Sequence, residues 1–170
     1  MDIRTILKDI AYPRQVVLVT SEADVEIFGK RQDKKDIITL SWHTPLSFEP
    51  FLYGIAVGKA RFSKKLIEKS KVFAVNFMPA EFEKQILFCG KNSDELIDKF
   101  KETGLTPVEC SKIHCSRIRE ALAWLECEVV EEVDMGDHVL VVGRVLNSSA
   151  AGKGRRLFQS GDGFTTTIDV

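Results

Sequence analysis

Three short stretches place chemically useful side chains where a strand gives way to a turn or a helix. The first, "TLSWHTPLSFEP", carries Ser41, Trp42, His43 and Thr44 directly after a β-forming run. At a strand end the backbone is held in place but is no longer paired, so such positions favour ligand binding. We therefore expect hydroxyl, indole and imidazole groups to line a site at this strand end.

The second stretch, "AVGKARFSKKLI", predicts a buried strand that ends at Gly58 and is followed directly by a helix. Cations and a hydroxyl group gather there, at Lys59, Arg61, Ser63 and Lys64. Unpaired N–H groups and the positive end of the helix dipole suit a phosphate group. Taken alone, the stretch is equally consistent with a capped, solvated helix start.

The third stretch, "DMGDHVLVVGRV", predicts a tight turn followed by a buried strand that begins with His138. A histidine there lies near the rim of a barrel, where it can contact a ligand. The alternative is a turn residue without a chemical role.

Two nucleotide-binding motifs are excluded by their spacing. "GIAVGKA" has three residues between its glycines where a P-loop needs four, and Ala60 stands where a magnesium-binding hydroxyl belongs. "GKGRRL" lacks the third glycine of a dinucleotide turn, and too little chain follows it for a βαβ unit.

Cysteine and histidine spacing offers a weak metal motif. The best ligand candidates are Cys110, His114, Cys115 and Cys127. Only one C-x₄-C pair is present, and the apolar run around Cys127 favours a core thiol, so we expect no bound metal. A cysteine nucleophile with His43, His114 or His138 as its base stays open, because such pairs are recognised in space.

The intervening pattern is rich in strands, with helices inserted between them. It predicts helices over 3–10, 61–71, 81–90 and 93–104, with strands over 15–22, 36–42, 51–58 and 72–79, a hairpin over 122–150 and short β-pieces beyond. Residues 23–35 read as a polar turn that can include a short strand, Ser93 as a helix start and Gly104 as a helix end. This order favours a mainly β fold, a barrel with inserted and flanking α-helices, in a single domain over 1–170.

Charge and hydropathy exclude several functional classes. The chain has 170 residues, with 24 basic and 25 acidic side chains, so it has no general field for nucleic acid. No apolar run approaches the roughly 20 residues of a membrane span, and the charged N-terminus does not resemble a signal peptide. We therefore expect a cytoplasmic protein that contacts neither nucleic acid nor membrane, with its four cysteines reduced.

Taken together, these stretches resemble the flavin reductase-like family of FMN-binding split β-barrels. The resemblance covers the three stretches above, "FLYGIAVGKARFSKKLIEKSKVFAVNFMP", "CGKNSDELIDKF" and "EALAWLECEVVEEV". It implies flavin-ring and ribityl contacts from Thr39, Ser41, Trp42, His43 and Thr44, and a phosphate cradle from Lys59, Arg61, Ser63 and Lys64. It also implies further pocket lining from Asn76, Cys89 and Gly90, and a nicotinamide-facing role for His138.

The same resemblance implies a reaction. The expected activity is an NAD(P)H-dependent flavin reductase that passes a hydride from NADH or NADPH to FMN and electrons to free flavin, ferric iron, a monooxygenase or a redox protein. Two alternatives stay open: an FMN-binding module for electron transfer or flavin storage, and a pyridoxamine phosphate oxidase, for which no second phosphate site is visible.

The bulk of Trp42 and His43 predicts a narrow space above the flavin ring. Apolar strands that need cover on both faces, together with the resemblance, predict a homodimer.

Overall fold

Strands make up most of the regular structure. The computed structural model describes residues 2–93, 95–150, 152–161 and 163–166. The strands are β1 (Arg14–Gln15), β2 (Val17–Ile27), β3 (Lys30–Leu40), β4 (His43–Ser47), β5 (Leu52–Gly58), β6 (Val72–Phe77), β7 (Pro107–Glu109), β8 (Ser116–Ile118), β9 (Ala123–Met135), β10 (His138–Ser149), β11 (Leu157–Ser160) and β12 (Gly163–Thr166). The helices are α1 (Ile3–Ile10), α2 (Phe62–Ser70), α3 (Glu83–Lys91) and α4 (Lys99–Thr103), with a 3₁₀ turn at Ala80–Phe82. None of the helices in these ranges has the length and apolar character needed to cross a membrane.

Seven strands form one antiparallel sheet in the order β3-β2-β6-β9-β10-β5-β4. The sheet curls into a barrel, since buried residues of β3 such as Ile38 and Leu40 share one apolar cluster with Tyr53, Ile55 and Val57 of β5. Burying this interior supplies the main apolar core and fixes the register of the strands. The predicted mainly β barrel with added helices is confirmed.

A second apolar cluster covers the outer face of β2 and β3. It joins Leu18 and Ile37 on the strands to Ile86 and Cys89 of α3 and Phe100 of α4. Because successive strand residues point to opposite faces, Ile38 faces the barrel interior while its neighbour Ile37 faces this helical layer. The helices thereby form a wall beside the end of β3.

Helix α2 begins one turn after β5 ends and packs inward through Leu66 and Ile67, both fully buried as predicted. Its last carbonyls are capped by Lys71, which adopts a left-handed backbone and donates its N–H to Ile67. The short connection holds the N-terminus of α2 at the same end of the barrel as the last residues of β5.

The polar turn predicted over 23–35 is much shorter, and strand structure fills most of this range. β2 and β3 run on as eleven-residue strands that pair until Ile27 and Lys30, with the turn at Phe28 and Gly29. Val25 and Ile27 are buried while Asp24 and Glu26 are exposed, and this period of two marks a strand despite the charges.

Two further differences concern short segments. β4 is an edge strand where the sequence suggested a loop, and α4 begins after Asp98 rather than near Ser93. The Asp98 carboxylate accepts a hydrogen bond from the Lys101 N–H at 3.1 Å, while Gly104 ends the helix as predicted. The predicted β-pieces near the C-terminus are confirmed as β11 and β12, and residues 167–170 lie outside the described residues.

Candidate functional site

A groove runs along the C-terminal end of β3, between the barrel rim and the outer helices. Its main cavity, of about 230 Å³, is lined by Tyr12, Ile38, Thr39, Leu40, Ser41, Trp42, Ala56, Gly58, Arg61 and His138. A cavity of about 180 Å³ shares Thr39 and Ser41 with it and continues along α3. A third, of about 20 Å³, shares Ile38 and Arg61 and lies under the start of α2. The three cavities therefore adjoin one another along the end of β3, and together they are called the groove.

Two aromatic rings form one wall of the main cavity. The Trp42 and His138 ring centroids are 4.9 Å apart, with the ring planes inclined by 36°. The Trp42 carbonyl accepts a hydrogen bond from the Ala56 N–H at 2.9 Å, and the His138 Nδ1 lies 2.7 Å from the Asp137 carboxylate. A carboxylate accepts hydrogen bonds, so the proton of the neutral ring lies on Nδ1.

His138 faces a glycine across the strand pair. Its partner in the β5–β10 ladder is Gly58, and a Cβ atom at that glycine would lie 3.7 Å from the His138 Nε2 and 3.5 Å from the Arg61 side chain. The missing side chain at Gly58 thus keeps the floor of the cavity open between the imidazole and the guanidinium group.

The start of α2 forms the positively charged end of the groove. Arg61 occupies the N-cap position without a side-chain capping bond, and its exposed side chain lines two of the three cavities. The first-turn N–H groups and the helix dipole add positive potential at this point. Together with Arg61 they suit an anionic group such as phosphate.

A buried polar network supports that helix start. The Ser63 hydroxyl donates to the Asp36 carboxylate, whose other oxygen lies 2.9 Å from the Lys99 ammonium group. Lys99 also donates to the Ile37 carbonyl at 2.6 Å, and all three side chains of the network are buried. Ser63 therefore ties α2 to β3, while Lys99 places a cation beneath the third cavity.

The wall along α3 depends on a close helix–strand approach. A Cβ atom at Gly90 would lie 3.2 Å from the Thr39 side chain. The Thr39 hydroxyl donates to the Ile86 carbonyl at 2.6 Å and fastens the strand end to the helix. Gly90 lines the second cavity and Cys89 the third. The short connection between β3 and β4 is held by Arg14, whose Nε donates to the Ser41 carbonyl at 2.8 Å.

His43 lies outside the groove lining and is engaged by other polar groups. Its Nε2 is 2.9 Å from the Gln15 carbonyl and its Nδ1 is 2.7 Å from the Tyr53 hydroxyl. A carbonyl can only accept, so Nε2 carries the proton and Nδ1 accepts from Tyr53. Burial lowers the pKa of His43 below its usual value, while burial raises the pKa of Tyr53 to about 12. This pair is a neutral hydrogen-bonded link between β4, β5 and β1.

Four other predicted site residues lie outside the groove lining. Thr44 is exposed on β4, and Asn76 is fully buried in β6, where its amide nitrogen donates to the Leu18 carbonyl and its oxygen accepts from the Ile118 N–H. Lys59 pairs with Asp134, and Lys64 lies 2.9 Å from Glu132. The hydrogen bonds of Glu132 and Glu68 outweigh burial and raise the pKa of Lys64.

The structure thus brings together Thr39, Ser41, Trp42, Arg61, Ser63, Cys89, Gly90 and His138 of the predicted set. Sequence reasoning missed Tyr12, Asp36, Ala56 and Lys99, which join the groove or its support from distant segments. Gly58 was noted only as a strand end. No local motif marks these positions, because tertiary folding alone makes them neighbours.

The donor set fits a flat heteroaromatic group that carries a phosphate. Aromatic rings and the Thr39–Trp42 backbone line the main cavity, while Arg61 and the N-terminus of α2 supply the anion-binding end. Of the four residues predicted to hold the phosphate, Lys59 and Lys64 pair with carboxylates, and Arg61 lines the groove.

Comparisons with known proteins agree with this fold. The family model described as flavin reductase like domain matches residues 10–166. An uncharacterized protein of Archaeoglobus fulgidus is 35% identical over 136 residues, which cover 80% of this chain and 72% of that protein.

Solved structures of flavin-binding proteins share the architecture. An FMN-binding protein from Thermus thermophilus superposes with a TM-score of 0.80 at 22% identity, over 92% of this chain and 88% of the other. The NADH:FAD oxidoreductase of Streptomyces globisporus gives a TM-score of 0.81 at 24% identity, over 96% and 90%. The latter protein has also been solved in complex with NAD and FAD fragments. At these identities the likeness establishes the fold.

Proposed function

Because the chain belongs to the flavin reductase-like domain family, we propose that its groove binds FMN and that NADH or NADPH reduces the bound flavin. The observation that carries the proposal is that an aromatic cavity adjoins a helix start suited to an anion, with Arg61 lining both. The fold is one that flavin-related oxidoreductases use, as the Streptomyces enzyme illustrates.

Each end of the groove has a separate task. Arg61 and the first turn of α2 bind the phosphate group, because a charge-assisted hydrogen bond there is reinforced by the helix dipole. The backbone from Thr39 to Trp42 and the α3 wall at Gly90 hold the ring system and its ribityl chain. Asp36, Ser63 and Lys99 keep the helix start in position from below.

When bound, FMN supplies the two-electron acceptor chemistry, taking a hydride from the nicotinamide ring. Trp42 and His138 position the nicotinamide, since their paired rings wall the main cavity. His138 donates its Nδ1–H to the Asp137 carboxylate, so its Nε2 is available to accept a hydrogen bond from a carboxamide. The Trp42 indole would narrow the space above a bound flavin ring.

We propose FMN rather than FAD as the resident cofactor. The support is that, within the described residues, the groove's helix start lies at its Arg61 end, and the sequence has no Rossmann-like turn for an adenylate. The electron acceptor would be free flavin, ferric iron, a monooxygenase or a small redox protein in the cytoplasm.

The working unit is proposed to be a homodimer. β4 is an edge strand of the seven-stranded sheet, and it is followed by Phe48, which is 98% exposed. Leu46 and Phe51 flank it and are exposed as well. A second copy covering these side chains would remove both an open edge and an apolar patch from water. Sedimentation velocity should give a dimer that Phe48→Glu converts to monomer, whereas a wild-type monomer at micromolar concentration would contradict this.

Titration of flavin-free protein tests the binding proposal directly. FMN is expected to bind tightly, and its absorption band should gain resolved shoulders when it leaves solution for the protein. FAD and riboflavin should bind at least tenfold more weakly. Riboflavin lacks the phosphate and so isolates the contribution of Arg61 and the α2 terminus. Equal affinity for FMN and riboflavin, or no binding of any flavin, would overturn the proposal.

A further inference from the structure

A pair of cysteines lies at the end of the small β7–β8 hairpin, outside the groove lining. The β7–β8 register pairs Glu109 with Ser116, and it continues to Cys110 opposite Cys115, whose carbonyl accepts the Cys110 N–H at 2.9 Å. Directly opposed residues in an antiparallel ladder have Cα atoms about 4.5–5.5 Å apart and side chains on one face. This separation falls within the range of about 4.4–6.8 Å that disulfides use.

The two side chains meet in one small apolar cluster. Cys110 packs against this cluster, which contains Ala74, Ile113 and Cys115. The neighbouring Cys110 thiol, together with burial, raises the pKa of the Cys115 thiol. Both cysteines are free thiols in the structure.

The four-residue loop between the cysteines is held in place from behind. The buried Glu126 carboxylate accepts hydrogen bonds from the Ser111 N–H at 3.1 Å and the Lys112 N–H at 2.8 Å. Cys115 Sγ lies 3.5 Å from the Thr20 carbonyl on β2. The loop is therefore preorganised, and little ordering entropy opposes a bond between the two sulfurs.

The cysteines differ in their access to solvent. Cys110 is partly exposed, whereas Cys115, Cys89 and Cys127 are each 4% exposed or less. An oxidant arriving from solvent therefore meets Cys110 first, and Cys115 is the cysteine directly opposite Cys110 across the hairpin.

We propose that Cys110 and Cys115 form a reversible dithiol–disulfide couple that takes up two oxidising equivalents from hydrogen peroxide. The Cys110 thiolate attacks a peroxide oxygen, the O–O bond breaks, and the departing hydroxide takes up a proton to leave as water, giving a sulfenic acid at Cys110. The Cys115 sulfur then attacks Cys110, the S–S bond forms and the S–O bond breaks. The Cys115 proton leaves with the hydroxide as a second water, so two thiols are oxidised while one peroxide is reduced.

Peptide mapping of the peroxide-treated protein tests the couple. Trypsin cleaves after Lys112, between the two cysteines, so only a disulfide can keep their peptides together. Treatment of the reduced native protein should remove two of its four thiols, lower the intact mass by two hydrogen atoms and yield the linked Cys110–Cys115 peptides. Dithiothreitol should restore all four thiols.

Matched variants separate this couple from general oxidation. Cys110→Ser and Cys115→Ser should each abolish the linked peptide, whereas Cys89→Ser should retain it. Four intact thiols, a disulfide that involves Cys127, or overoxidation of wild-type Cys110 without an S–S bond would overturn the proposal. Peptide mapping of the wild-type protein tests the proposal even if a variant at a buried cysteine fails to fold. Its result does not depend on flavin binding.

Discussion

The indole of Trp42 and the imidazole of His138 lie against each other, with their ring centroids 4.9 Å apart, although 95 residues separate them in the sequence. The contact joins the end of β3 to the start of β10 at the mouth of the groove. Both rings line the main cavity, so the pair forms part of the surface that a bound molecule would meet.

His138→Ala is expected to slow flavin reduction by nicotinamide about three- to tenfold while FMN stays bound, the range that corresponds to one lost hydrogen bond. Anaerobic stopped-flow absorbance measures the rate. His114→Ala is the matched control, since His114 is 86% exposed and lies away from the groove. An unchanged rate in the His138 variant would leave His138 as a turn residue without a chemical role.

Trp42→Ala should also slow the reduction, and its effect should not add to that of His138→Ala. Residues in direct contact give coupling energies of about 0.5–3 kcal/mol in double-mutant cycles. The cycle is measured on the rate constant for flavin reduction by the nicotinamide nucleotide. Strict additivity would show that the two rings act separately.

Arg61→Ala should weaken FMN binding about tenfold or more, because a charge-assisted hydrogen bond to phosphate is worth about 1.5–3 kcal/mol. Lys59→Ala is the control two residues away, as its ammonium group pairs with Asp134. Isothermal titration of flavin-free protein gives both affinities. Equal losses in the two variants would point to general charge attraction instead of a contact at Arg61.

Lys99→Met should lower the free energy of unfolding by about 3 kcal/mol or more, because it removes the ammonium group from a buried ion pair and leaves the carboxylate. The Lys99 Nζ lies 2.9 Å from the Asp36 Oδ1, and the two side chains are 3% and 1% exposed. The exposed neighbour in the same helix supplies the control variant, Lys101→Met, which should change stability by less than about 0.5 kcal/mol. Urea unfolding compares the two, and similar stabilities would exclude a supporting role for the pair.

Acid should destabilise the protein through His43. Burial holds the pKa of His43 in the folded state below the ordinary 6.5, so the unfolded chain binds more protons between those two pKa values. The free energy of unfolding therefore falls as the pH drops below about 6.5 through this window and is fully retained above it. His43→Gln should show a shallower loss between pH 7.5 and 5.5, and an identical pH dependence in both proteins would contradict the assignment.

The sequence predicted the elements whose apolar pattern is strong and local. The buried strands β5 and β6, the inward face of α2 and the β9–β10 hairpin are where their periodicity places them. The long β2–β3 hairpin was missed, because charged residues along its exposed face resemble a polar turn.

The site was predictable where side chains follow a strand end directly, as at Ser41, Trp42 and Arg61. The site was not predictable where a lysine could pair either with a bound phosphate or with a carboxylate of the protein. Lys59 and Lys64 are adjacent to Arg61 in sequence, yet β9 supplies Asp134 and Glu132 to pair with them. Residue type and spacing carry no information about a carboxylate some 70 positions away, and the same holds for Asp36 and Lys99.

Anaerobic mixing of the FMN-loaded protein with NADH and with NADPH, followed at the flavin absorbance band, tests the proposed function most directly. The structure leads us to expect complete bleaching by at least one nucleotide, at a rate that saturates with its concentration. A flavin that both nucleotides leave oxidised, but that dithionite bleaches, would contradict the reductase and favour an FMN module for electron transfer or storage.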